Sequence, residues 1–295
     1  MTMRIDRRNL LRGLAVCGLP LPGLLQGQET VLPLRTPGLD HLDVMVPDVE
    51  ATARFYMGLL DTTLYAQPFQ GGFRYFVLLG ELSERREVGY LAVGDARGRG
   101  SYIGHFCTSV FDWRRDSDAV FAGMAEAFAA AGFGEFPGST GFGGIFADPD
   151  GIEIQFLPAP DTLVTVAEPS QLVPWNQGLV TPRGLDHVLL WVSDLERALR
   201  YYEILYGPYR WHDGRQRASF DFPASNTSLH LERARYEYGQ QPQIARFGLK
   251  VEAFERDAVA AAAAELGATV LPTEEENAGL RLRDPDGNIV ELNSV

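Results

Sequence analysis

The sequence predicts an α+β fold arranged as two tandem domains, because three motifs each occur twice in the same order. These motifs are a GLDH tetrapeptide, an aromatic pair and a DPDG turn. Their positions are 38–41 and 184–187, 55–56 and 201–202, and 148–151 and 284–287. We therefore predict a duplicated domain, whose second copy is shorter by about ten residues between its landmarks.

The composition is that of a folded globular protein. The chain has 295 residues, of which 45% are hydrophobic and 22% charged, which suffices for about two domains of roughly 150 residues each. Acidic residues number 39 and basic residues 26, so the formal net charge is −13 and the surface should repel phosphate backbones and anionic lipid headgroups. We therefore expect a small-molecule substrate and no nucleic-acid partner.

The N-terminus predicts a targeting segment. The pair Arg7-Arg8 precedes an apolar stretch at residues 10–25, whose glycines and prolines disfavour a stable membrane span. This pattern resembles a twin-arginine export signal, with residues 1–29 as the signal peptide and a periplasmic or secreted mature protein that has no integral membrane segment. The alternative is a basic helix start followed by a short buried helix.

A shorter repeat inside the first copy predicts two modules of strand, helix and further strands. His41 precedes Asp48 by seven residues and His105 precedes Asp112 by seven, and each run alternates as a strand does before reaching a helix-capping aspartate. The predicted helices are 49–60 and 117–131, and the predicted further strands are 75–79, 88–93, 144–147 and 152–157. The predicted domains are 36–160 and 183–295, joined by a proline-containing linker at 161–182.

In combination these motifs resemble the vicinal oxygen chelate superfamily, which includes glyoxalase I, bleomycin resistance proteins and extradiol dioxygenases. The shared features are a histidine on a first strand, an aspartate opening a helix that contains Phe-Tyr, and a final D-P-D-G-x-x-x-E strand. The resemblance covers nearly everything from Gly38 to Val295. It implies that each domain contains two βαβββ modules, whose eight strands form a curled mixed sheet around a cleft that holds a divalent metal.

Strand periodicity indicates which side chains of the first copy enter that cleft. Leu42, Val44 and Val46 form an apolar row toward the helices, so His41 faces the opposite side. His105 has the equivalent place in the second module, and Cys107 shares its face.

From the two histidines and the resemblance we predict a divalent metal, either Fe, Mn, Zn or Ni, whose ligands are His41, His105, Gln155 and Glu153. The superfamily's carboxylate ligand position is occupied by Gln155, and Glu153 lies two residues earlier on the same face, about 6 to 7 Å away. The alternative is that both histidines are satisfied within the cleft and bind nothing.

The second copy departs from the superfamily pattern in a different way. His187 and Glu291 keep the family positions, but the second histidine is replaced by Arg246, whose fixed positive charge opposes a metal. We predict an Arg246–Glu291 ion pair, with an anionic ligand at Arg246 as the alternative. A different metal site formed by His187 with His230 and Glu232 is a further alternative.

Two functional hypotheses follow. The first is an exported metal-dependent enzyme of the dioxygenase, lyase or isomerase type, acting on a small oxygenated molecule in the first domain. Glu153 would be its catalytic general base, with a solvated carboxylate as the alternative role. The second is a metal-free protein that sequesters a small ligand, as bleomycin resistance proteins do. The duplication is compatible with a monomer or a homodimer.

Overall fold

The computed structural model of the chain describes residues 31–69, 72–80, 89–136, 138, 144–159, 172–174, 177–212, 216–273 and 279–295. The predicted signal peptide and most of the predicted linker lie outside these residues. The described strands form two eight-stranded mixed sheets, one for each sequence repeat. No helix within the described ranges is long and apolar enough to cross a membrane.

The first domain contains the strands of one sheet and two helices. In chain order its elements are β1 (Gly38–Val46), α1 (Val49–Leu59), β2 (Thr63–Phe69), β3 (Gly72–Leu78), β4 (Tyr90–Asp95), β5 (Tyr102–Phe111), α2 (Trp113–Ala130), β6 (Ile145–Ala147), β7 (Glu153–Ala159) and β8 (Leu172–Pro174). The spatial order of the strands is β6-β7-β5-β1-β4-β3-β2-β8. The first strands of the two modules, β1 and β5, are antiparallel neighbours at the centre.

The second domain repeats this arrangement. Its elements are β9 (Pro182–Val192), α3 (Leu195–Tyr206), β10 (Arg210–His212), β11 (Arg217–Phe222), β12 (Thr227–Arg233), a 3₁₀ turn (Tyr236–Tyr238), β13 (Gln243–Val251), α4 (Arg256–Glu265), β14 (Thr269–Leu271), β15 (Leu280–Arg283) and β16 (Ile289–Ser294). The strand order is β10-β11-β12-β9-β13-β16-β15-β14, again with the two module-opening strands, β9 and β13, paired at the centre. The predicted fold class is confirmed.

One strand of the first sheet comes from an unexpected part of the chain. β8 lies within the segment predicted as a linker, and it pairs antiparallel with β2 through Thr63 and Pro174 at one end. Within the described residues, the second module of this domain supplies β5, β6 and β7 only. The short β8 covers the edge of β2, whose backbone groups would otherwise be unpaired.

The helices begin where local capping and core packing allow. The Asp48 side chain accepts a hydrogen bond from the Ala51 amide at 2.9 Å, as expected for a cap of α1. Asp112 makes no such bond and has a left-handed backbone conformation, with φ 60°. α2 begins at Trp113, earlier than the predicted Ser117, because the indole is buried against Phe156 with ring centroids 5.4 Å apart.

The aromatic pair of each domain forms a hydrogen bond with the DPDG turn of the other domain. Tyr56 of α1 donates a hydrogen bond to Asp284 Oδ2 at 2.8 Å, and Tyr202 of α3 donates one to Asp148 Oδ2 at 2.8 Å. Each aromatic pair therefore contacts the DPDG turn of the other domain. Together with the shared core, these contacts make residues 31–295 one compact unit.

We expect Tyr56→Phe to lower the free energy of unfolding by about 1–3 kcal/mol, because it leaves the buried Asp284 carboxyl without one of its donors. The ring and its packing are retained. Chemical denaturation measures the loss, and Tyr238→Phe, at a tyrosine that is 73% exposed, is the matched control. Equal stability of the two variants would show that the interdomain hydrogen bond contributes nothing.

Candidate metal centre

The central pairing of β1 with β5 brings two distant histidines together. His41 and His105 are 3% and 6% exposed, and their Nε2 atoms are 3.3 Å apart. The apolar row Leu42, Val44 and Val46 is fully buried on the opposite face of β1, as the strand alternation predicts. The structure therefore places both predicted histidines in one buried group on the cleft side of the sheet.

Each of these histidines is oriented through its other ring nitrogen by a carboxylate. His41 Nδ1 donates to Asp40 Oδ1 at 2.7 Å, and His105 Nδ1 lies 3.5 Å from Asp43 Oδ2. The second oxygen of Asp40 accepts a hydrogen bond from Ser109 Oγ at 2.7 Å. If each Nδ1 carries the proton, the lone pairs of the two Nε2 atoms face one another, and a shared cation would stabilise them. Metal-binding histidines usually donate their other ring N–H in this way.

Gln155 adds a third donor atom to this group. It lies on β7, parallel to β5, and its Oε1 is 3.1 Å from His105 Nε2. Two ligands that each lie about 2.1 Å from one metal ion are separated by roughly 3.0–3.4 Å. The two measured separations therefore fit a site in which His41, His105 and Gln155 hold one divalent ion.

The protonation state of His105 also suits metal binding. Burial lowers the pKa of this imidazole well below its ordinary value, and the nearby His41 and Arg74 lower it further. Histidine binds metals as the neutral imidazole, so no proton has to be removed from His105 at neutral pH. Arg74 forms an ion pair with Asp43, although burial is the stronger influence and raises the pKa of that carboxyl.

The structure does not bring Glu153, the fourth predicted metal ligand, into contact with the two histidines. Glu153 is the register partner of His105 on β7, but it is exposed and borders a cavity of about 450 Å³ together with Asp43. In the part of the chain that the structure describes, no hydrogen bond or ion pair joins Glu153 to His41 or His105. Partial burial raises the pKa of its carboxyl, and the Asp43 charge adds to this effect.

A second group of ligand types shares His41. Asp40, His41 and Cys107 place potential ligand atoms within 4.8 Å of one another, which makes them a possible metal-binding group. Burial raises the pKa of the Cys107 thiol, followed by the effect of the Asp40 charge, and a neutral thiol is a poor metal ligand. This chemistry favours the group formed by His41, His105 and Gln155.

Sequence reasoning assigned no role to the groups that support the two histidines. Asp40 and Asp43 orient the rings, and Tyr90 on β4 stacks on His41 with ring centroids 4.3 Å apart. An aspartate precedes the histidine in both GLDH motifs, which was an available signal for Asp40. Nothing in the local pattern indicated that Tyr90 stacks on His41, because this contact depends on the parallel pairing of β1 with β4.

Two cavities flank the first-domain site. One is the cavity of about 450 Å³ bordered by Asp43 and Glu153, and the other, of about 680 Å³, is bordered by Arg74 and Tyr75. Neither is lined by His41 or His105. Asp43 borders the smaller cavity and Arg74 borders the larger one, so their ion pair lies between the two cavities.

The second domain places different residues at the equivalent positions. Phe106 and Phe247 pair with corresponding residues of β1 and β9, so the residues that precede them, His105 and Arg246, are equivalent. Glu291 is likewise equivalent to Gln155. Arg246 Nε lies 3.1 Å from Glu291 Oε1, which confirms the predicted ion pair.

Glu291 also contacts His187, and the two side chains influence each other's ionisation. The Nε2 of His187 is 3.1 Å from Glu291 Oε2, and its Nδ1 is 2.9 Å from Asp186 Oδ2. Burial acts to lower the pKa of His187, but its bonds to Asp186 and Glu291 outweigh burial and raise it. Burial likewise acts to raise the pKa of Glu291, but His187, Arg246 and Arg281 together lower it to about 2.

The His187–Glu291 pair should make stability depend on pH in a defined window. The raised pKa of His187 contributes stability that is complete below its ordinary value of 6.5 and is lost as pH rises through the folded-state pKa. The lowered pKa of Glu291 contributes stability that is present above 4.5 and is lost as pH falls toward about 2. We expect the destabilisation caused by Glu291→Gln, measured by urea unfolding, to be largest between these two ordinary values. A destabilisation that does not change with pH would contradict this coupling.

The alternative metal site of the second domain is not assembled. The rings of His230 and His187 are stacked nearly parallel, with centroids 4.9 Å apart, so their nitrogens do not converge on one point. His230 Nε2 and Ser228 Oγ are hydrogen-bonded at 2.8 Å. Burial, followed by the nearby His187 and Arg217, lowers the pKa of His230 to about 2.

Comparisons with known proteins agree with the tandem architecture. The Glyoxalase/Bleomycin resistance protein/Dioxygenase superfamily matches residues 38–156, and a glyoxalase-like domain family matches residues 187–293. The chain is similar in structure to the 2,3-dioxygenase LapB from Pseudomonas sp. KL28, with 17% sequence identity, a TM-score of 0.64, and 89% of this chain and 93% of that chain covered.

A second solved structure with this architecture is the Mn(II)-bound glyoxalase from Novosphingobium aromaticivorans. The sequence identity is 14% and the TM-score 0.59, with 88% of this chain and 83% of that chain covered. Among curated proteins none matches this chain in sequence. At these identities the structural likeness establishes the fold.

Proposed function

Because the chain carries two tandem domains of the vicinal oxygen chelate superfamily, we propose that its first domain is a divalent-metal-dependent enzyme acting on a small oxygenated molecule. The observation that supports this most directly is the 3.3 Å approach of two Nε2 atoms whose Nδ1 atoms both face carboxylates. The reaction belongs to the dioxygenase, lyase or isomerase type. The solved structures with similar folds are themselves described as dioxygenases and a glyoxalase.

The residues of the site have separate roles in this proposal. His41, His105 and Gln155 hold the ion, and Asp40 and Asp43 keep the rings in orientation. When bound, the metal supplies Lewis acidity to adjacent oxygens of the substrate. All three ligands are neutral, so no atom that contacts the ion carries a negative charge, and the site favours substrates that present an anionic oxygen.

Glu153 is the proposed general base. It borders the cavity of about 450 Å³ next to the register position of His105, where a substrate bound at the histidines could extend. Its raised pKa makes the carboxylate a better proton acceptor than an ordinary glutamate. Glu153→Gln should therefore lower turnover while leaving the metal content unchanged.

The alternative function is metal-free sequestration of a small ligand. Elemental analysis of protein purified without a tag separates the two: the enzyme requires about one equivalent of a divalent transition metal per chain. His41→Ala and His105→Ala should each abolish that content, whereas His212→Ala in the second domain should not. Wild-type protein without metal after growth with Fe, Mn, Zn and Ni, or full metal content in both first-domain variants, would contradict the proposal.

We further propose that the protein is exported by the twin-arginine route and is periplasmic or secreted. The support is Arg7-Arg8 before the apolar stretch at residues 10–25. Replacing both arginines with lysine should retain the protein in the cytoplasm, as measured by fractionation. Export that is unaffected by this change would contradict the proposed route.

A further inference from the structure

The second domain contains a cavity that is larger than the two cavities beside the first-domain site. Its volume is about 1130 Å³, and His187, Arg246 and Glu291 form part of its wall. These three side chains occupy the positions equivalent to His41, His105 and Gln155. In the second domain, therefore, the positions equivalent to the buried histidine group of the first domain border an open cavity.

The described lining of this cavity carries an excess of positive charge in an otherwise acidic protein. Its five arginines, Arg217, Arg233, Arg235, Arg246 and Arg281, face four carboxylates, whereas the whole chain has a net charge of −13. An anion would offset the positive charge of this described lining.

The excess is concentrated around Arg246. Arg246 Nε and Arg281 Nε approach the same oxygen of Glu291, at 3.1 and 2.6 Å. The other carboxylate near Arg246 is Glu232, and its Oε1 lies 3.9 Å from an Arg246 terminal nitrogen and 3.8 Å from one of Arg217. Arg246 and Arg281 thus share Glu291, and the contact of Arg246 to Glu232 is too long for a hydrogen bond.

Arg246 retains unused capacity for donating hydrogen bonds. Its Nε atom is buried and lacks a well-aligned acceptor, despite its proximity to Glu291. Burial lowers the pKa of this guanidinium, so its charged form is incompletely compensated by Glu291 and Glu232. The side chain is 16% exposed and borders the cavity, which allows a ligand to reach it.

The shape and chemistry of the cavity favour a carboxylate. A guanidinium group binds the two oxygens of a planar carboxylate in a bidentate manner. Trp191, Leu271, Pro272 and Ile289 also line the cavity and provide an apolar surface for the rest of the ligand. We propose that the second domain binds a small organic carboxylate, with its apolar part against this surface and its carboxylate paired with Arg246.

The binding of benzoate to the full chain tests this proposal, with benzamide as the uncharged probe of the same shape. Isothermal titration calorimetry should show saturable binding of benzoate and at least tenfold weaker binding of benzamide. Arg246→Gln should weaken benzoate binding at least tenfold, and Arg246→Lys should weaken it less, because lysine keeps the charge but loses the bidentate geometry. Arg54→Gln, at an exposed arginine of α1, should bind benzoate as the wild type does.

The outcome is independent of the metal proposed for the first domain. Arg246→Gln should retain the wild-type metal content and remain folded, because His187 and Arg281 still pair with Glu291. Equal binding of benzoate and benzamide, unchanged affinity in Arg246→Gln, or no saturable benzoate binding at millimolar concentrations would each overturn the proposal. Benzoate binding that is lost with His41→Ala instead would place the carboxylate in the first domain and would also overturn it.

Discussion

Replacing Gln155 with glutamate should raise the affinity of the first domain for a divalent metal by roughly 10- to 100-fold, because the change supplies a negative charge directly at the ion. Gln155 Oε1 already lies 3.1 Å from His105 Nε2, so the geometry of a third ligand is in place. The second domain has glutamate at the equivalent position, which shows that the sheet accommodates this side chain there.

The same substitution should have the opposite effect on the metal-free protein. Gln155 is 7% exposed, and an isolated carboxylate is costly to bury. We expect the metal-free Gln155→Glu variant to unfold at a lower denaturant concentration than the wild type, and the metal-loaded variant to unfold at a higher one. Gln155→Met, which has a similar size but only a weak thioether donor, is the matched control and should bind metal more weakly than the wild type. Equal chelator resistance of the wild type and both variants would show that this side chain does not contact the ion.

Replacing Arg246 with histidine should give the second domain a metal site that the wild type lacks. The substitution removes a fixed positive charge and supplies an imidazole at the position equivalent to His105. The two remaining ligands are already close together, because His187 Nε2 is 3.1 Å from Glu291 Oε2. Two imidazoles and one carboxylate are a common ligand set for Fe(II) and Zn(II).

We expect elemental analysis of Arg246→His to show about one more equivalent of metal per chain than the wild type shows. Arg246→Gln is the control, since it removes the same charge without adding a ligand, and its metal content should remain at the wild-type level. The combination of Arg246→His with His41→Ala should keep only the equivalent bound in the second domain. A wild-type metal content in Arg246→His would mean that Arg281, whose Nε is 2.6 Å from Glu291, is sufficient to exclude the ion.

The sequence was informative about the fold because duplication repeats local signals at a constant spacing. The GLDH, aromatic-pair and DPDG motifs predicted two copies, and alternation along β1 and β7 predicted which side chains share a face. The start of α2 was predicted too late, at Ser117, because the burial of Trp113 against Phe156 depends on a distant strand. The strand β8 was missed because its pairing with β2 is a long-range contact of a very short segment.

The sequence alone determined the candidate residues of the site, and the tertiary structure decided how they are used. Residue type and strand period indicated His41, His105 and Glu153, and the resemblance to the superfamily's motifs indicated Gln155, since these signals are local. Only the folded sheets showed that the two imidazoles and Gln155 approach one another while Glu153 remains at a cavity wall. The same sheets showed that Arg246 borders a large arginine-rich cavity, because distances and burial arise from contacts between residues far apart in the chain.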